Sequence, residues 1–137
     1  MEHIVILKKN ILDKILSGEK TIETRFTKNK CVPFKKVAEG DTLFLKAVGG
    51  EVLAKAVVKK VENYVLNEQK LRQIVNLYHK EIGVESSKVE QFVLKRKDKN
   101  YAVLVWLSEL KNIFPFSVKK SYGAGWICCS SIEEYKL

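Results

Sequence analysis

The stretch Gly18-Glu19-Lys20-Thr21-Ile22-Glu23-Thr24-Arg25 decides how this chain reads. Before it, Ile11, Leu12, Ile15 and Leu16 fall at the i, i+1, i+4, i+5 spacing of one apolar face, which predicts a short helix over residues 9–17. Asn10 is the expected N-cap of that helix and Gly18 its stop. From residue 21 to 26, the β-branched Thr21, Ile22 and Thr24 favour a strand. Side chains alternate along a strand, so Glu23 and Arg25 share one face and Lys20 and Ile22 the other. A left-handed cap at Gly18 would release Lys20 from that alternation by placing it in the turn. Its ammonium is then free to swing toward Glu23 and Arg25. Lysine and arginine together suit an anionic ligand, and the carboxylate between them can accept a hydrogen bond or a proton. Taken alone, the same residues also fit an ordinary surface ion pair on a strand.

Working outward, residues 3–7 read as a buried strand and residues 27–36 as a basic loop in which Pro33 argues against regular structure. Residues 38–41 read as a turn into a strand over 42–47. Gly49-Gly50 signals a hairpin, and the returning strand over 52–61 alternates imperfectly, as a long curved strand does. A helix over 67–78, ending near Gly83, carries Leu71, Ile74, Val75 and Tyr78 on one side. Ser86 or Ser87 can cap another helix running to about residue 97, with Val89, Phe92 and Val93 inward. Residues 101–110 form the most hydrophobic strand, a central one, with Trp106 expected in the core. Beyond it come Phe114-Pro115-Phe116, the pair Lys119-Lys120, the segment Tyr122-Gly123-Ala124-Gly125-Trp126 and a strand over 127–130. The expected fold class is α+β: a small mixed sheet or β-barrel flanked by helices, in a single domain over residues 1–137.

Composition narrows the classes. With 137 residues, an apolar fraction of 46% and a charged fraction of 30%, the chain has the make-up of a globular protein with one full core. Its longest apolar run, residues 102–107, is far too short to span a bilayer, and the N-terminal segment reads as a strand instead of a signal peptide, so the expected location is cytoplasmic. The three cysteines, Cys31, Cys128 and Cys129, have no Cys-x-x-Cys spacing and make no pattern with His3 and His79. Free thiols are expected, with no metal and no cofactor.

Lys and Arg number 25 against 16 Asp and Glu, a formal net charge of +9, and such an excess points first to a polyanion. Only Arg25, Arg72 and Arg96 are arginines. A lysine excess suits backbone or single-strand contact better than base reading in a major groove, although lysine with glutamate is also a thermophile composition.

With Gly18-x-Lys20-x-x-Glu23-x-Arg25 between a short helix and a strand, followed by the Gly40-Asp41 turn and the Gly49-Gly50 hairpin, the chain resembles the ASCH family of the PUA-like superfamily. The likeness covers most of residues 1–66. It implies a small β-barrel with helices around an open cleft, and a role in RNA binding or RNA metabolism. Some members hydrolyse nucleosides or RNA. The bacterial acetylcytidine amidohydrolases look similar in this signature and use a lysine, a threonine three residues later and a more distant glutamate. Lys20 matches that lysine, whereas Glu23 stands at the threonine position, and Glu62 is the candidate for the distant glutamate. The YTH and EVE relatives hold a base in an aromatic pocket, a part that Tyr122 and Trp126, with Phe114 and Phe116 nearby, can play here unless they pack in the core.

Two functions follow. In the first, a basic cleft floored by the signature binds RNA or a nucleotide: Lys20, Arg25 and some of Lys35, Lys36, Lys46, Lys119 and Lys120 meet phosphates, Tyr122 and Trp126 stack on bases, and Glu23 accepts from an exocyclic amine or holds Arg25. In the second, the protein hydrolyses RNA or a modified nucleoside, with Glu23 as general base and Lys20 stabilising the developing oxyanion. Binding leads, because it requires only charge and shape.

Overall fold

The computed structural model describes residues 1–120 and 123–137. Tyr122, an expected stacking residue, lies outside the described residues. The fold is α+β: one six-stranded mixed sheet, curled into a half-barrel, with three helices. In chain order the elements are β1 (Glu2–Leu7), α1 (Lys9–Leu16), β2 (Ile22–Thr27), β3 (Thr42–Ala47), β4 (Val52–Val65), α2 (Glu68–Ile82), a 3-10 turn Ser86–Lys88, α3 (Val89–Arg96), β5 (Tyr101–Phe116), β6 (Trp126–Cys129) and a final 3-10 turn Ile132–Glu134. The strand order is β2-β5-β4-β3-β1-β6. β1 and β3 run parallel, and the other neighbours are antiparallel.

The two long strands supply the curl. β4 and β5 pair along nearly their whole lengths, but the register slips at Val52/Ala54, Lys55/Val57 and Val58/Lys60. Each extra residue kinks the ribbon and deepens its twist. Glu109 adopts φ 49° within β5, another point at which that strand turns. Both strands outrun their expected ends. β5 runs six residues past its expected end at Leu110, through Pro115, and that far half pairs only with β4. A proline whose missing N–H faces away from the ladder does not end such a strand.

Inside the curl, Val5, Leu7, Leu43, Leu45, Ala54, Val58, Val103 and Val105 pack against Leu12 and Ile15 of α1. On the other face Ile22, Ala102 and Leu104 take Ile74 and Ile82 of α2. Trp106 is on that second face and only half-buried, edge-on to Tyr78 with Lys60 Nζ 4.6 Å from its ring centre, so it is not the core residue expected. α1 begins without the Asn10 cap: Lys8 is the N-cap, and its carbonyl, not a side chain, receives Ile11 N and Leu12 N. α2 ends at Gly83, φ 88°, near where the sequence places its stop, and Asn67, read as its first residue, is its N-cap, accepting from Lys70 N. No described helix is long and apolar enough to cross a membrane.

A buried polar chain ties β1 to the Asp41 turn and to β6. Trp126 Nε1 donates to His3 Nδ1 at 3.1 Å, and His3 Nε2 lies 2.8 Å from Asp41 Oδ2. Indole nitrogen only donates, so His3 Nδ1 must accept and Nε2 carries the proton toward Asp41. Burial pushes the Asp41 carboxyl up, but the bonds from His3 and from Ala38 N–H outweigh it and leave the pKa below its ordinary 3.8. A carboxylate with a depressed folded pKa stabilises fully above its unfolded value and loses that contribution as pH falls through the folded one. The stability gap between wild type and Asp41→Asn is therefore expected to be constant above about pH 5 and to shrink below about pH 4. Urea unfolding across that range reads it, and a gap that widens on acidification contradicts the assignment.

Candidate functional site

Lys20, Glu23 and Arg25 meet in an open cleft of about 730 Å³ between β2, the ends of β1 and α2, and α3. Gly18 is what allows it. At φ 83° it takes the chain out of α1 in the left-handed conformation, and Lys20 N then closes on Lys14 O at 3.0 Å. Lys20 thus leaves the strand alternation and points into the same concavity as Glu23. Ile22, from the strand itself, goes to the opposite face under α2.

These groups form a closed network. Lys20 Nζ donates to Ile82 O at 2.8 Å and lies 3.6 Å from Glu23 Oε1. Glu23 Oε1 also accepts from Thr24 N at 2.9 Å, and Oε2 accepts from Arg25 Nη2 at 3.2 Å. The same Nη2 donates to Ile6 O at 3.1 Å, bridging β2 to β1 across the gap in the half-barrel. Only 4% of Lys20 and 4% of Glu23 is exposed. Burial pushes the Lys20 pKa below its ordinary 10.5, with Glu23 partly opposing the shift. Lys14 Nζ joins from α1, donating to Gly83 O at 2.9 Å. Two lysines therefore occupy carbonyls at the C-terminal end of α2, where the helix dipole favours cations.

Two glycines make room. A Cβ on Gly83 would come within 3.3 Å of Lys20 Cβ, and one on Gly125 within 2.7 Å of Arg25 Nη1. Gly125 O also accepts from Ile6 N at 3.0 Å, so the glycine is pinned against the guanidinium. Trp126 follows directly. It is 5% exposed and packed in the inner core, and Arg25 Cζ lies over its ring at 5.3 Å. Trp126 is therefore a core residue beneath Arg25, not a stacking surface in the cleft, because its ring is buried and does not line it.

The other expected contacts do not join the cleft. Lys35 and Lys36 are exposed on the 31–36 loop beside the buried Phe34, at a separate basic hollow. Lys46 is on β3 beyond the bulge after Leu45, and Lys119 and Lys120 are exposed past the end of β5. None lines the cleft. Phe114 is 92% exposed, and Phe116 packs with Phe44. Glu62 is held by Tyr64 Oη at 2.7 Å and Lys60 Nζ at 3.2 Å, outside the cleft. Cys31, Cys128 and Cys129 are free thiols, and among the described residues no group of three His, Cys, Asp or Glu side chains could hold a metal.

What the sequence reading missed is the opposite wall. Lys88, Gln91, Phe92, Lys95 and Arg96 of α3 and its approach, with Lys99, face Lys8, Lys14, Lys20 and Arg25 across the cleft. Among the described residues, only Glu23 and Glu85 supply carboxylates to its lining. Arg96 lies over the Phe92 ring at 3.5 Å and near Phe26 at 5.7 Å, and burial lowers its pKa. The sequence signal that could have found this wall was the recurrence Lys88, Gln91, Lys95, one polar stripe of a helical stretch.

No family model and no curated protein matches the chain. Solved structures do. A serine-to-alanine variant of the ASCH protein of Zymomonas mobilis superposes with a TM-score of 0.71 at 15% identity, covering 97% of this chain and 91% of that one. A second structure of the Zymomonas mobilis ASCH protein gives 0.63 at 16% identity, over 85% of this chain and 73% of that one. The N-terminal domain of McrB from Staphylothermus marinus gives 0.51 at 13% identity, over 85% and 76%. At such identities the likeness concerns the fold, and the fold is that of the ASCH domain, in agreement with the Gly18–Arg25 signature.

Proposed function

We propose that this chain binds RNA or a nucleotide in the cleft above Lys20, Glu23 and Arg25. The observation that carries the reading is the make-up of the cleft walls: cations from two sides against two carboxylates, next to a guanidinium stacked on Phe92. Unpaired bases are held on aromatic or guanidinium planes while lysines meet the phosphates. The ASCH fold, with the role in RNA metabolism that its signature implies, supports the same class. Within the site, Glu23 is a positioning residue, since both its oxygens are already engaged.

Single-stranded RNA is expected to bind with an affinity that falls as salt rises, by a log–log slope of about −0.7 per phosphate neutralised. Fluorescence anisotropy with labelled oligouridylate across a salt series reads it. No binding at low ionic strength, of either RNA or a mononucleotide, contradicts the proposal.

One observation favours hydrolysis as the second reading. An amine whose pKa is lowered by burial, beside a buried carboxylate, is a recurrent arrangement in proton-transfer sites. The same protein incubated with short RNAs and modified nucleosides, read by mass, separates the two. Binding alone gives no product. Turnover through this site gives a product whose rate drops by ~10²–10⁴ in Glu23→Gln.

A further inference from the structure

The cations of the cleft differ in what already holds them. Those of the floor are committed within the protein: Lys20 to Ile82 O and Glu23, Arg25 to Glu23 and Ile6 O. Lys88 and Lys95, on the α3 wall, have no carboxylate partner among the described residues, and both are exposed. They are seven residues apart with Gln91 between them, so all three occupy one stripe of the helical stretch, about 10 Å from end to end. An ammonium already bonded to a carbonyl and a carboxylate gains little from a phosphate, whereas an unpaired one releases its counterions when it meets one.

We infer that the Lys88-Gln91-Lys95 stripe is the phosphate track of this protein and that the ligand is a single-stranded oligonucleotide, not a mononucleotide. This rests on the nucleic-acid reading of the cleft and refines it. Two ammoniums on stems about 10 Å apart each meet a phosphate of one strand, with the neutral Gln91 amide donating between them. A base carried inward from that track meets Arg96 and Phe92, the stacked pair just inside the stripe. The signature residues then shape the floor without carrying backbone affinity.

The test is the salt dependence of oligouridylate binding by wild type, by Lys88→Ala/Lys95→Ala and by Lys35→Ala/Lys36→Ala, with uridine monophosphate and polyglutamate as competitors. All four lysines are exposed, and thermal melts verify that the variants fold. The α3 variant is expected to lose about 1.4 from the magnitude of the log–log slope, near 0.7 per phosphate contact. The loop variant is expected to match wild type. Wild-type binding with an unchanged slope in the α3 variant overturns the track and leaves the cleft proposal standing. Monophosphate competing as well as the oligomer overturns the oligonucleotide ligand, and polyglutamate competing as well assigns the stripe to an acidic protein instead. If wild type binds neither RNA nor nucleotide, the nucleic-acid reading itself falls.

Discussion

Replacing Glu23 with alanine is expected to destabilise the protein by about 3–5 kcal/mol, the usual cost of stranding buried charge by removing one partner. The carboxylate is buried against Lys20 at 3.6 Å and Arg25 at 3.2 Å, and it also satisfies Thr24 N. Without it, Lys20 keeps only Ile82 O in a desolvated position. The folded pKa of Lys20 already lies below 10.5 and should fall further in the variant. Between the folded and unfolded values the unfolded chain binds more protons, so stability rises with pH there. The deficit of Glu23→Ala is therefore expected to shrink as pH climbs toward 10.5, the ordinary lysine value. Adding Lys20→Met should recover part of the loss, since an apolar side chain needs no partner there. As a control, Glu90→Ala removes an exposed carboxylate that pairs with Arg72 at the surface, and it is expected to leave the urea midpoint almost unmoved. Equal effects at Glu23 and Glu90 would mean that the signature is an ordinary surface ion pair.

Trp126→Ala is expected to cost a similar amount, about 3–5 kcal/mol, through the cavity it leaves in the inner core. It also removes the donor to His3 Nδ1, which is fully buried. Trp126→Phe fills most of the volume but not the hydrogen bond, and is expected to cost about 1–3 kcal/mol for the stranded acceptor. The second variant is the informative one for function. An aromatic substitute that supports Arg25 from below should leave RNA affinity nearly unchanged once the protein is folded. A stacking residue in the cleft would behave the opposite way, with stability retained and affinity lost.

How much was legible from the sequence follows from the range of the interactions involved. The convergence of Lys20, Glu23 and Arg25 depends on a cap glycine and a two-residue turn, all within eight positions, so local rules suffice. The fold class was likewise readable, because the helical spacing over 9–17 and the Gly49-Gly50 hairpin are local signals. The α3 wall was not. Its lysines lie some seventy residues from the signature, and nothing local distinguishes Lys88 and Lys95 from solvated lysines elsewhere in a chain with a net charge of +9. The same limit explains the lysines assigned to the site from charge alone: Lys35, Lys36, Lys46, Lys119 and Lys120 are all cationic, but tertiary packing turns them away from the cleft. Trp126 was ambiguous for a different reason. Indole serves equally as core and as platform, and the partner that decides, His3, is more than a hundred residues away.

The most direct test of the central claim is a backbone amide NMR titration of the protein with single-stranded oligouridylate. The account predicts that shift changes cluster at residues 24–26 and along 88–99, the two sides of the cleft, and leave 35–36 and 119–120 unmoved. Changes confined to those exposed lysines, or the absence of changes at the cleft while RNA binds, would contradict it.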